Sequence, residues 1–238
     1  MKNFLLIINL LILFQSCENE NGWYGEGINN NLHKEHEESK ERELQKTTNT
    51  KTEKDLPSLL LNTSVSITNF LGKNELNTGS GAFISPSLVV TNYHVIEGGN
   101  LIELSRNSDK KLFKGKIKII DRTHDVCILE LVEEKVEEFL IINKNRPSIG
   151  TDIMVAGSPL GLNGTITKGS ISRIARENPY EFEIFQITAP ISPGSSGGPL
   201  VNLKGELIGI AVSSLVGQGI QNINFAVPSK YIYYLLDE

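Results

Sequence analysis

The chain of 238 residues carries a formal net charge of −5, which disfavours nucleic acid as its main partner, since phosphate binding needs a clustered basic surface. Hydrophobic residues make up 39% and charged residues 21%, the balance of a globular protein with some additional polar chain. Its two cysteines, Cys17 and Cys127, are disfavoured as a pair, because one follows an apolar N-terminal run and the other sits inside the apolar strand pattern VCILEL.

In chain order, Lys2 and the apolar run from Phe4 to Phe14 read as the start of a secretory signal. The run is shorter than the roughly 20 residues a helix needs to cross the hydrocarbon core. It ends in LFQSC, which resembles a bacterial lipobox, with small Ser16 before the cysteine but Phe14 where Leu is usual. Residues 1–17 are therefore expected to be a signal peptide ending at a lipidated Cys17, and the acyl chains to hold the protein on a membrane. Residues 18–56 follow as a charged tether, because HKEHEESKERELQKTTNTKTEKD has too few apolar side chains to offset the entropy of ordering. His33 and His36 lie in it with no third ligand to make a metal site.

Residues 57–238 form the globular region, roughly 180 residues and enough for one domain with a substantial core. Short apolar segments alternate with Gly, Asn and Pro: SVSITN, GSGAFIS, LVVTNY, LIELS, KLFKGKIKIID, VCILEL, DIMVAGS, GTITKGSISRI, FEIFQIT, GPLVN, ELIGIAVSS and INFAVPS. Regularly spaced short strands predict an all-β sandwich or barrels. One helix stands out, PSKYIYYLL at the C-terminus, with Pro228 near its start.

The segment SPGSSGGPLVN carries the strongest chemical signal. Acyl transfer needs a hydroxyl nucleophile and two backbone N–H groups aimed at the oxygen that becomes negative. A glycine-rich turn lets those N–H groups converge, with Ser196 as nucleophile and the N–H groups of Gly194 and Ser196 as donors. The nucleophile needs a base, and His94 in TNYHVI ends an apolar strand where it can face a cleft. The base needs an orienting acid. Asp125 in THDVCILEL directly abuts the next apolar strand, whereas Asp121 and His124 are nearby competitors for the assignment.

The phrases GSGAFIS, VVTNYHVI, HDVCILEL, VAGSPLGL, TKGSISRI, QITAPISPGSSGGPLVN, GELIGIAVSS and NFAVPS occur in that order from about Gly79 to Pro228. Together they resemble the trypsin-like serine proteases, especially the bacterial HtrA/Deg group. The resemblance implies a chymotrypsin-like double β-barrel of two perpendicular six-stranded barrels with a cleft between them, a short C-terminal helix following. It implies the triad His94, Asp125 and Ser196, a polypeptide substrate, and neither metal nor cofactor. It places Ile191 in the pocket for the residue before the scissile bond, which would favour small aliphatic side chains. It also places Val212, Ser213 and Ser214 on the strand that pairs with substrate. With the lipobox it implies a membrane-anchored protein of the bacterial cell envelope, facing the periplasm or the exterior.

Three departures qualify the resemblance. Ser195 replaces the acid that precedes the nucleophile in digestive trypsins, so activation by a buried salt bridge from a new N-terminus is not expected. Ser192 and Ser195 stand where the HtrA group commonly has Asn. The chain stops ten residues after Pro228, so the PDZ module of HtrA proteins is expected to be missing, and with it their mode of control. Two other readings follow: a catalytically silent peptide-binding module, or a resting protease whose oxyanion loop a partner must order.

Overall fold

The computed structural model describes residues 55–72, 75–99, 101–158, 164–176, 182–214 and 223–237. The expected signal peptide, Cys17 and nearly all of the expected tether lie outside them. Twelve strands close into two six-stranded antiparallel barrels. The first comprises β1 (Ser64–Phe70), β2 (Leu76–Phe83), β3 (Leu88–Thr91), β4 (Leu101–Arg106), β5 (Leu112–Asp121) and β6 (Val126–Leu131). The second comprises β7 (Asp152–Gly157), β8 (Thr165–Arg176), β9 (Glu183–Ile187), β10 (Pro199–Asn202), β11 (Leu207–Ser214) and β12 (Asn224–Pro228). Both have the same internal order, β1-β2-β3-β6-β5-β4 matching β7-β8-β9-β12-β11-β10. This is the double barrel that the resemblance implies.

Each strand segment follows from its side-chain pattern. In β6, Cys127, Leu129 and Leu131 turn into the first barrel, while Val126 and Ile128 join the packed layer shared with Met154, Val201 and Ile210 of the second. Burial on both faces explains why VCILEL reads as a nearly continuous apolar run rather than an alternation. The second barrel has its own interior around Val155, Phe185, Leu200 and Ala226. Cys127 is free and fully buried, and burial pushes its thiol up to about 12.

Three helices complete the described residues: α1 (Leu56–Thr63), α2 (Tyr93–Ile96) and α3 (Ser229–Asp237). The sequence reading finds only α3. In α1, Pro57 stands in the first turn, and Leu56, Leu59, Leu60 and Thr63 bury one face at helical spacing. Eight residues in LPSLLLNT give too short a period to tell this helix from a buried strand. Leu56, the last residue assigned to the tether, is fully buried in the layer between the barrels. Among the described residues, no helix is long and apolar enough to cross a membrane.

Candidate active site

Strand pairing alone brings two of the expected residues together. β3 and β6 are antiparallel neighbours, with Thr91 opposite Cys127, so the end of β3 lies beside the start of β6. His94 follows β3 and Asp125 precedes β6. The chain leaves β3 through extended Asn92 into the single turn α2. Val95 and Ile96 bury their side chains in the first barrel, which leaves His94 on the open side with 47% of its side chain exposed. Asn69 Nδ2 donates to the carbonyls of Val95 and Glu97 and ties the turn to β1.

Asp125 holds His94 at two points. Its Oδ2 lies 2.7 Å from His94 Nδ1, and its Oδ1 accepts the His94 backbone N–H at 2.9 Å. Its own carbonyl accepts the Tyr93 N–H and Asn92 Nδ2. The carboxylate is 21% exposed. Asp125 takes a φ of +55°, a conformation uncommon outside glycine that Asp tolerates better than most residues. A carboxylate on Nδ1 places the proton there and leaves Nε2 as the free acceptor.

The competing pair goes elsewhere. His124 Nδ1 lies 2.5 Å from Asp121 Oδ2, and its ring stacks on Tyr231 of α3 at 3.9 Å between centroids. That pair packs against the C-terminal helix, and among the described residues neither member bonds to His94.

Ser196 lies in the loop before β10. Ser195 N–H donates to Ser192 O at 2.9 Å, and Gly194 has a φ of +96°. With Pro193 in the second position, these define a type II turn over Ser192–Ser195. Among the described residues, the N–H groups of Gly194 and Ser196 have no acceptor. Ser196 Oγ donates to Val212 O at 2.9 Å rather than to His94. Gly197 has a φ of +84°, and a Cβ there would come within 2.1 Å of Ser80 O. Only glycine allows this close approach of the two barrels.

Beside Ser195 opens a small cavity of about 90 Å³, lined by Val155, Gly157, Thr165, Thr167, Ile191 and Ser192 among others. None of its lining residues is charged. Ile191 lines this cavity, together with two threonines that the sequence reading does not single out. Val212 is buried and falls at the irregularity between Ala211 and Ser213 in the β11–β12 pairing, while Ser213 and Ser214 register opposite Phe225 and Asn224. Ser80 is a further residue that the sequence reading missed: its N–H donates to Ser196 O and its hydroxyl to Gly194 O. Nothing local marks it, because its partners lie more than a hundred residues away. Among the described residues, no group of three His, Cys, Asp or Glu side chains could hold a metal ion.

A double barrel with a Ser, a His and an Asp carried on these loops is the architecture of trypsin-like peptidases, and the chain belongs to that family: residues 79–210 match the trypsin-like peptidase domain. Among its relatives is a putative serine protease HhoB of Synechocystis, 35% identical over 161 residues, covering 65% of this chain and 38% of that protein. Another is a probable periplasmic serine endoprotease DegP-like of Chlamydia trachomatis, 34% identical over 165 residues, covering 67% and 33%. The chain thus spans about a third of the length of these two relatives. The solved serine endoprotease from Yersinia pestis is 28% identical with a TM-score of 0.69, covering 78% of this chain and 65% of that one.

Proposed function

We propose that the chain is a serine endopeptidase of HtrA type that cleaves peptide bonds through an acyl-enzyme on Ser196. Ser196 Oγ attacks the scissile carbonyl carbon as its proton passes to His94 Nε2. The oxygen that becomes negative sits on the N–H groups of Gly194 and Ser196. Collapse expels the amine, which takes the proton from His94. Water then repeats the sequence and releases the acid. Asp125 keeps Nδ1 protonated and stabilises the imidazolium.

The observation that carries this reading is the two-point grip of Asp125 on His94, with Nδ1 at 2.7 Å and the backbone N–H at 2.9 Å. The type II turn supports a formed oxyanion site, because Gly194 N–H and Ser196 N–H remain free to donate to a ligand oxygen. Both features weigh against the silent peptide-binding reading. One observation favours a resting state: Ser196 Oγ is held on Val212 O and has to turn toward His94 before it attacks. In this account substrate binding along Val212 to Ser214 draws that carbonyl away.

The substrate is a polypeptide, unfolded or a specific envelope protein, with a small aliphatic residue before the cut. The cavity is small, at about 90 Å³, and no charged residue lines it, which favours Val or Ala over a long cationic side chain such as Arg. The protein works in the cell envelope, anchored through Cys17 and a tether that runs from residue 18 and ends before the buried Leu56. Replacing Ser196 with Ala is expected to abolish cleavage and leave the unfolding midpoint within a few degrees; turnover that persists in Ser196→Ala would refute the assignment.

A further inference from the structure

Two residues bear the free N–H groups of the oxyanion turn, Gly194 and Ser196, and one residue of the other barrel holds the carbonyls of both. Ser80 Oγ donates to Gly194 O at 2.8 Å, and Ser80 N–H donates to Ser196 O at 2.7 Å. Ser80 is fully buried on β2. Its hydroxyl accepts the backbone N–H of Ser158 at 3.0 Å. An N–H only donates and a carbonyl only accepts, so the Ser80 proton has a single direction, toward Gly194 O.

Ser158 is itself fixed. Its hydroxyl meets Ser66 Oγ at 2.5 Å and donates to Asn107 Oδ1 at 3.2 Å. Asn107 Nδ2 donates to Ser64 Oγ at 2.8 Å, and Ser64 Oγ donates to Leu60 O in the last turn of α1. Ser64, Ser80, Asn107 and Ser158 are all buried. A continuous hydrogen-bonded chain therefore runs from α1 across the seam between the barrels to the turn that carries the nucleophile. Buried polar side chains fully paired in this way define one geometry rather than several.

We propose that Ser80 is the positioning residue of the oxyanion turn: it fixes Gly194 and Ser196 by their carbonyls, so that their N–H groups converge before substrate arrives. This rests on the serine endopeptidase reading above. Ser80 touches neither substrate nor the proton in transfer, so losing its hydroxyl impairs transition-state binding more than ground-state binding.

The test compares the full-length wild type with Ser80→Ala, using the labelling rate of a fluorophosphonate, kcat and KM on a cleaved peptide, and the affinity of a peptide boronate of the same sequence. The expected result is a fall of roughly tenfold to hundredfold in labelling rate and kcat, below the loss seen on deleting an oxyanion donor outright. KM stays within about twofold, and boronate affinity falls by the same factor as kcat/KM. Ser229→Ala is the control. It removes a buried hydroxyl-to-carbonyl bond of the same kind, to Asn143 O at 2.6 Å, far from the turn in sequence. It is expected to lower the unfolding midpoint and leave kcat unchanged. Wild-type rates in Ser80→Ala, or an equal loss in Ser229→Ala, overturn the proposal. If Ser80→Ala does not fold, Ser80→Cys offers only a weak S–H donor in the same place; a wild-type labelling rate in that variant also overturns it. A wild type that never labels would refute the serine endopeptidase reading itself, a separate outcome.

Discussion

Replacing Asp125 with Asn tests the proton logic of the site with little change of shape. The carboxylate makes two hydrogen bonds to His94, from Oδ1 to the backbone N–H at 2.9 Å and from Oδ2 to Nδ1 at 2.7 Å. Asn keeps one acceptor oxygen, and the backbone bond holds it on the Oδ1 side. The amide nitrogen then faces Nδ1 and donates to it, so the imidazole proton moves to Nε2. An Nε2 that carries a proton cannot take one from Ser196. The expected loss in kcat is about 10⁴-fold, or about 5.4 kcal/mol at 1.36 kcal/mol per tenfold, with KM changed little. Stability falls by about 1.5–3 kcal/mol at most, the value of one charge-assisted hydrogen bond. Steady-state cleavage of a peptide with Val before the cut, with thermal unfolding alongside, reads both effects. A loss below tenfold in a folded variant would refute the claim that Asp125 sets the state of His94.

Gly197→Ala forces a Cβ to 2.1 Å from Ser80 O at a φ of +84°, so a loss of about 1–3 kcal/mol from the backbone and a similar amount from overpacking is expected in denaturant titration. Cys127 stays neutral at pH 8 because burial raises its thiol to about 12, so iodoacetamide is expected to modify it only upon unfolding. The unfolded thiol ionises near 9 and the folded one does not. This group's contribution to stability is therefore complete below about 9 and is lost as pH rises toward 12. For Glu183, burial raises the carboxyl, but hydrogen bonds from Arg146 at 3.0 Å and Lys230 at 2.8 Å outweigh it and hold it below its usual range. Its contribution is present above the ordinary value of 4.5 and is lost as pH falls through the lowered one. The stability difference between wild type and Glu183→Gln is accordingly expected at pH 7 and should shrink toward zero in acid.

What the sequence made legible was what local pattern controls. The strand segments follow from short apolar runs between turn residues, and β6 could be read even with both faces buried. Asp125 was separated from Asp121 by a local fact, its place directly against β6, and the β3–β6 pairing then sets it beside His94. The features that stayed hidden depend on distant partners. α1 is eight residues long and acquires its helical face only against the layer between the barrels. Ser80 reads as a small residue in GSGAFIS, and its two hydrogen bonds to the turn form only when Gly194 and Ser196 arrive from the other barrel. Thr165 and Thr167 sit in a strand that looks like any other, until Ile191 and Ser192 close the cavity beside them. The hydroxyl of Ser196 resting on Val212 O is a rotamer choice, which no spacing of residues encodes.

The most direct test of the account is activity-based labelling of the purified full-length chain with a fluorophosphonate, with the modified residue located by mass spectrometry. One label per chain is expected, on Ser196, abolished in Ser196→Ala and strongly slowed in His94→Ala. A folded wild-type protein that takes up no label, or takes it up on another serine, would contradict it.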